Sequence, residues 1–361
     1  MQIGIVGLPN VGKTTFFKAL TRTEAETANY PFTTTSYNTG VAELRDERLD
    51  KIAQIVHSKE VIPTTIKFLD VAGLVKGASK GEGLGNQFLG YLRGTDALVE
   101  VVRCFKDANV SHVEGRIQPQ EDIEIVNLEL ALADLATVER RLQKVKRQAK
   151  SGDKESSRDL EILERLEGAL NQGFPIRNLD LGAEKSLLLE MDLLTTKPLI
   201  YMANISESDI GVGNLYLDQV QKKADADRNL VIPICAKLEA ELSELSTGES
   251  KLFLREMGIQ ERGLDKLIRA CYKILGLITF YTIESQISQA WAVKKGTKVP
   301  QAAGAIHSDM EEGFIKAEVA SYEDLVSAGS FIAAREKGHL LLEGKEYIVR
   351  DGDVLHFKFR H

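Results

Sequence analysis

The chain has 361 residues, 43% of them hydrophobic, and a formal net charge of −7: enough apolar content for two or three domain cores, and too acidic for generic polyanion binding by the whole molecule. Its three cysteines, Cys104, Cys235 and Cys271, lack C-x-x-C spacing, which excludes a disulfide framework or a cysteine-rich zinc site. No apolar stretch reaches the roughly 20 residues that span a bilayer, and no basic-then-apolar leader precedes the first motif, so a cytoplasmic protein without a membrane partner is expected.

The apolar run Gln2 to Val6 reads as a strand, and Gly7-Leu8-Pro9-Asn10-Val11-Gly12-Lys13-Thr14 follows it ahead of a helix-forming stretch. A G-x-x-x-x-G-K-[ST] pattern in this context is a phosphate-binding loop. Its glycines permit the tight turn that aims successive N–H groups at phosphate oxygens, and the helix N-terminus adds its positive dipole end. Asn10, Val11, Gly12, Lys13, Thr14 and Thr15 are therefore nucleotide-contacting candidates, with Lys13 reaching the β- and γ-phosphates and Thr14 ligating magnesium. Asn10 has two readings, a plain turn residue or a carboxamide ligand for a monovalent cation, potassium being the candidate.

Tyr30-Pro31-Phe32-Thr33-Thr34-Thr35 is either a hydroxyl-rich loop with a second magnesium ligand or the start of an exposed strand. Thr64 to Asp70 reads as a strand ending in the D-x-x-G motif Asp70-Val71-Ala72-Gly73. There the Asp70 carboxylate can hold magnesium through water in its outer shell, and the Gly73 N–H can meet the γ-phosphate. The glycine-rich run Leu74 to Gly85 has the composition of a switch that orders in one nucleotide state. Leu74 stands where Ras-like enzymes carry a water-positioning glutamine, so another group must orient the attacking water.

After a strand from Ala97 to Phe105, the residues Leu128, Ala131, Leu135, Val138, Leu142 and Val145 alternate steps of three and four, a heptad seam of a long helix. Ser151 to Ser157 interrupts it, and Leu160, Leu163, Leu166 and Leu170 resume a helical pattern. An antiparallel helical hairpin inserted between two strands of the nucleotide-binding domain is the simplest geometry. Arg140, Arg141, Lys144, Lys146, Arg147 and Lys150 crowd the end of its first helix, and this cluster is either a solvated face or a phosphate-reading tip.

The apolar run Pro198 to Ala203 ends in Asn204-Ile205-Ser206-Glu207, where a guanine-specific protein carries N-K-x-D. The guanine-reading aspartate is replaced by a longer carboxylate, and the lysine whose stem packs on the base is Ile205. Asn204 can still pair with N6–H and N7 of adenine, so ATP is favoured, with a GTP site of relaxed specificity as the alternative. A strand from Leu230 to Ile234 runs into Cys235-Ala236-Lys237, a loop placed to close over the base. Beyond Leu264 to Leu275 the pattern becomes β-rich, with strands expected at Ile278 to Ile283, Tyr347 to Val349 and Leu355 to Phe359. Tyr281, Trp291 and Phe314 are read as core there, not as an RNA-stacking site.

Taken together, the phosphate loop, Asn29 to Thr34, Asp70 to Ala78, Arg103-Cys104-Phe105, Asn204 to Glu207 and Gly352 to Phe357 resemble the YchF family of Obg-like ATPases over essentially the whole chain. That resemblance implies an α/β protein: a discontinuous P-loop nucleotide-binding domain (1–118 and 196–277), a helical coiled-coil insertion (119–195) and a carboxyl-terminal TGS-like β-grasp domain (278–361). It further implies a slow, magnesium-dependent ATP hydrolase acting as a nucleotide-dependent switch in translation or stress response. The partner would be the ribosome, with the large subunit and ribosomal RNA as the contact, and the protein a monomer. Thr34 as a magnesium ligand and His112 as the group that orients the water are also carried over from the family. An RNA-binding adaptor with a mainly structural nucleotide is the reading from a different class.

Overall fold

A computed structural model describes residues 1–22, 37–71, 77, 84–112, 115–149, 154–180 and 185–360. Thr34, Gly73 and Leu74 lie outside the described residues. The chain divides into two units, Met1–Ala42 with Lys67–Ala270, and Glu43–Ile66 with Cys271–His361.

The strands in chain order are β1 (Gln2–Val6), β2 (Tyr37–Leu44), β3 (Glu60–Ile62), β4 (Thr64–Val71), β5 (Ala97–Cys104), β6 (Leu199–Ile205), β7 (Leu230–Ile234), β8 (Leu277–Glu284), β9 (Ile287–Lys294), β10 (Phe314–Ser321), β11 (Leu341–Glu343) and β12 (Asp353–Phe359). One six-stranded sheet has the order β2-β4-β1-β5-β6-β7, and β4, β1, β5, β6 and β7 pair in parallel. Parallel strands are covered on both faces, so β5 and β6 are buried along their whole length. Polar side chains within these two strands therefore stand out: Glu100, Arg103 and Asn204 are each 4% exposed or less. The carboxyl ends of β1, β4, β5 and β6 carry the phosphate loop, Asp70, the segment leading to His112, and Asn204, which is where open α/β sheets bind ligands.

The first five helices are α1 (Lys13–Arg22), α2 (Glu47–Val56), α3 (Leu84–Arg93), α4 (Pro119–Ala149) and α5 (Lys154–Asn171). Between β5 and β6 the chain forms α4 and α5, which share an apolar cluster of Val138, Leu142 and Val145 with Ile162, Leu163, Leu166 and Leu170. The expected seam is present from Ala131, which is buried in this cluster, through Leu135, which packs against it, to Val145. Only its first position differs: Leu128 is 44% exposed, and the amino-terminal half of α4 also buries Ile123, Val126, Asn127, Glu129, Leu130 and Asp134. The cause is a change of neighbour, since polar anchors tie this half to the core of the unit. Asp134, fully buried, accepts from the backbone N–H groups of Leu194 (3.0 Å) and Thr195 (2.7 Å), the Thr195 hydroxyl and Arg93. Asn127 accepts from Arg177 at 2.9 Å. Heptad spacing reports an apolar seam but not a helix face that is buried through hydrogen bonds.

The second unit has its own six-stranded sheet, β11-β10-β12-β8-β9-β3. Residues 43–66 fall within the expected nucleotide-binding segment 1–118, yet they join this unit. Their β3 pairs in parallel with β9, and Leu49 and Ile52 of α2 share a core with Tyr281, Ala290, Leu325 and Val354. No shift of composition marks the excursion, because an amphipathic helix shows that it needs an apolar face and not whose. The stretch Tyr347 to Val349 makes an isolated bridge between Ile348 and Lys298 in place of a strand. Turn hydrogen bonds from Tyr347 N–H to Gly344 and from Asp353 N–H to Arg350 hold the surrounding backbone out of the ladder. Tyr281 and Phe314 are core residues, and Trp291 packs against that core while its indole N–H donates to Thr282. Among the described residues no helix is long and apolar enough to cross a membrane.

Candidate functional site

The phosphate loop departs from β1 through Gly7 (φ 141°) and turns at Asn10 (φ 63°) and Gly12 (φ 102°). A Cβ at Gly7 would lie 2.5 Å from the Val101 carbonyl oxygen of β5, and one at Gly12 would collide with the Asn204 carboxamide. The two motif glycines are thus demanded both by backbone conformation and by close approach. The amino end of α1 begins at Lys13, whose ammonium folds back to donate to the carbonyl oxygens of Gly7 (2.8 Å) and Leu8 (2.6 Å). Burial pushes the Lys13 pKa down to about 8 against the opposing pull of Asp70. Asp70, at the end of β4 and in register with Ile5 of β1, is 9% exposed. Burial raises its pKa, and the Lys13 charge works in the other direction. Thr14 and Thr15 are exposed, so a lysine, a carboxylate and two accessible hydroxyls meet at one end of the sheet.

Asn204 closes the other side of the loop. Its Nδ2 donates to the Val11 carbonyl at 2.8 Å, and its Oδ1 accepts the Ala236 N–H at 3.0 Å, so one buried carboxamide joins the phosphate loop to the segment after β7. Each end keeps one further valence, an N–H and a lone pair. Ile205 is buried, and Glu207 is exposed. The turn beyond is ordered by Asp209, which accepts from the Ser206 hydroxyl (2.6 Å) and from Asn214 (2.7 Å), while Asn214 Nδ2 also donates to the Cys104 carbonyl. Ala236 opens a short helix, Ala236–Leu242, whose buried Glu239 pairs with Arg262 at 3.0 Å.

His112 sits in the connection between β5 and α4. Its imidazole is 4% exposed and its Nε2 lies 2.9 Å from a carboxylate oxygen of Asp122, in the first turn of α4. The preceding residue touches the phosphate loop: Asn10 Nδ2 donates to the Ser111 carbonyl at 3.3 Å. Arg103, at the carboxyl end of β5 and 2% exposed, donates to carbonyls of the same connection. The phosphate loop, Asp70, the His112 connection and the Asn204 turn are therefore brought together, whereas Thr34 and Gly73 are outside the described residues. Arg103 enters the sequence reading only within the family motif Arg103-Cys104-Phe105, with no role attached, and Asp122 does not enter it. For Arg103 there is also a chemical signal: a charged side chain inside the apolar run of a central parallel strand is buried, and burial demands partners.

Comparison with known proteins agrees with this geometry. Residues 2–155 match a family model described as a 50S ribosome-binding GTPase, and residues 277–360 match the model YchF-GTPase_C, described as a protein of unknown function (DUF933). The chain is 49% identical to the Ribosome-binding ATPase YchF of Bacillus subtilis (strain 168) and 48% identical to that of Escherichia coli O157:H7, in each case over 99% of both chains. It superposes on the structure of the Schizosaccharomyces pombe YchF GTPase with a TM-score of 0.87 and 35% identity, covering 99% of this chain and 97% of that one. A relationship of this strength over the whole length, together with the phosphate loop and the altered base-recognition turn, establishes that the chain belongs to the YchF family.

Proposed function

We propose that this chain is a ribosome-binding ATPase that hydrolyses ATP slowly with magnesium, prefers it to GTP, and couples its nucleotide state to docking. The observation that carries the nucleotide choice is the turn after β6. Ile205 is buried and Glu207 is exposed, so the two side chains that would stack on and read guanine are of the wrong type. Asn204 retains one N–H and one lone pair, the pair of groups an adenine edge takes. The relatives' names include both an ATPase and a GTPase, which makes this choice the one to measure.

The donor set suits magnesium. The Thr14 hydroxyl and the Asp70 carboxylate are hard oxygen ligands, and magnesium is ordinarily held by one or two such groups together with substrate phosphates. Bound there, magnesium would neutralise charge developing on the transferred phosphoryl group. In this reading Thr34 adds a hydroxyl to the metal, Asp70 serves its outer shell, and Gly73 meets the γ-phosphate. Lys13 leaves the Gly7 and Leu8 carbonyls to contact the phosphates. The Asn10 carboxamide oxygen is the atom that would hold potassium, and His112 orients the attacking water.

For docking, the exposed Arg140, Lys144 and Arg147 lie at i, i+4 and i+7 on α4, a basic stripe suited to ribosomal RNA of the large subunit. We read α4 and α5 as an antiparallel hairpin within the insertion 119–195, and the second unit's carboxyl-terminal part (278–361) as the TGS-like β-grasp domain of a cytoplasmic monomer. Multiple-turnover kinetics with ATP and GTP test the proposal. A higher kcat/KM for ATP is expected, and His112→Ala should lower kcat about tenfold to a thousandfold with the KM for ATP held. Equal or reversed preference would remove the ATP assignment, and parental kcat in the variant would remove His112.

A further inference from the structure

We infer that Arg103 is a positioning residue for hydrolysis, fixing from the end of β5 the loop that delivers His112; the inference rests on the reading of His112 given above. The Arg103 guanidinium is spread over main-chain carbonyls at both ends of one loop. Its Nε donates to Phe105 at 3.2 Å, its Nη2 to Val110 at 2.9 Å and its Nη1 to Ser111 at 3.4 Å. A planar fork of donors with fixed spacing therefore sets the distance between where the loop starts and where it ends. The Phe105 ring lies 4.7 Å from the guanidinium carbon and constrains the plane of the fork.

The Ser111 carbonyl is the junction. It accepts from Arg103 and also from Asn10 of the phosphate loop, and the next residue is His112. Displacing that carbonyl by an ångström moves the imidazole relative to the phosphates, and misplacement on this scale is costly when a group acts by orienting a reactant. The guanidinium acts through the loop and not on the nucleotide.

Lysine at this position keeps the charge but gathers its donors on one nitrogen at the end of a flexible stem, without the rigid fork that holds the Phe105, Val110 and Ser111 carbonyls at fixed spacing. The test uses the full chain with Arg103→Lys and Arg103→Met, each alone and combined with His112→Ala. ATP turnover, amide exchange of residues 105–112 and thermal melting are read. Arg103→Lys should raise exchange across 105–112 about tenfold, lower kcat about tenfold and leave the KM for ATP within about twofold. In the His112→Ala background it should lower kcat no further, because a residue acting through His112 has nothing left to position. Should Arg103→Met fail to fold, the lysine variant decides by itself. Parental exchange over 105–112, an equal loss of kcat with and without His112, or a raised KM at constant kcat would each overturn the inference. Parental turnover in His112→Ala alone would instead refute the reading of His112, an outcome distinct from unchanged exchange in Arg103→Lys.

Discussion

Asn204→Ala should weaken the fold of the first unit and not merely its grip on the base. The wild-type carboxamide donates to Val11 at 2.8 Å and accepts from Ala236 at 3.0 Å, in a residue 4% exposed. Truncation removes the side-chain partner of the Val11 carbonyl and of the Ala236 N–H, and a buried group orphaned in this way costs about 1–3 kcal/mol. Partial entry of water reduces the sum, so the expected loss is about 2–4 kcal/mol. For a cooperative unit on the order of 250 residues, each kcal/mol moves the melting temperature by about 2–4 °C, which places the variant about 5–15 °C below the parent. Calorimetry of the nucleotide-free protein is the assay, with Asn204→Asp as the companion. The aspartate still accepts from Ala236, but it sets a carboxylate oxygen against the Val11 carbonyl, so it should melt no higher than the alanine variant. A nucleotide-free Asn204→Ala protein that melts within about 1 °C of the parent, yet binds ATP poorly, would refute the bridge and leave Asn204 with base recognition alone.

Asp134→Ala should cost about 3–5 kcal/mol, because it strands the Leu194 and Thr195 N–H groups and the Thr195 hydroxyl around an emptied buried site and removes the carboxylate paired with Arg93; a urea midpoint close to that of the parent would contradict this. The Lys13 pKa, lowered to about 8 from an ordinary 10.5, makes the unfolded chain bind more protons than the folded one between those values. Nucleotide-free stability should therefore gain a rising contribution from about pH 8 to about pH 10.5. Lys13→Met removes that contribution, and parallel stability curves for the two proteins over this window would show that the lysine is not desolvated. Charge reversal at Arg140, Lys144 and Arg147 should weaken sedimentation with ribosomes at moderate salt and flatten the salt dependence by roughly one unit of slope for each phosphate that is no longer neutralised. Parental sedimentation would leave the stripe as a solvated face.

The local chemistry was readable from residue order alone. Gly7 to Thr14 specifies a phosphate loop because two glycines, a lysine and a threonine at that spacing can only serve that turn well, and the fold uses both glycines at positive φ. Asp70 followed a strand pattern and stands at a strand end. The α4–α5 seam was legible where its packing is apolar, from Ala131 to Val145.

Partnership across long separations was not legible, since a side chain's type announces a need for a partner but not which partner the fold supplies. Asn204 read as a base contact and is also the bridge between Val11 and Ala236. His112 comes from the family resemblance as the water-orienting group, with no partner legible in the sequence, and is bonded to Asp122 of α4. Leu128 read as seam and is exposed, because Asn127 and Asp134 bury the adjoining face through hydrogen bonds that heptad spacing does not encode. Residues 43–66 carry an ordinary amphipathic helix, and only the packing of Leu49 and Ile52 with Tyr281, Leu325 and Val354 assigns them to the second unit. Sequence determined the chemical groups and their local turns through short-range sterics and periodicity. Tertiary structure decided which buried polar groups satisfy one another, because that depends on strands and helices brought together from positions as far apart as Val11 and Asn204.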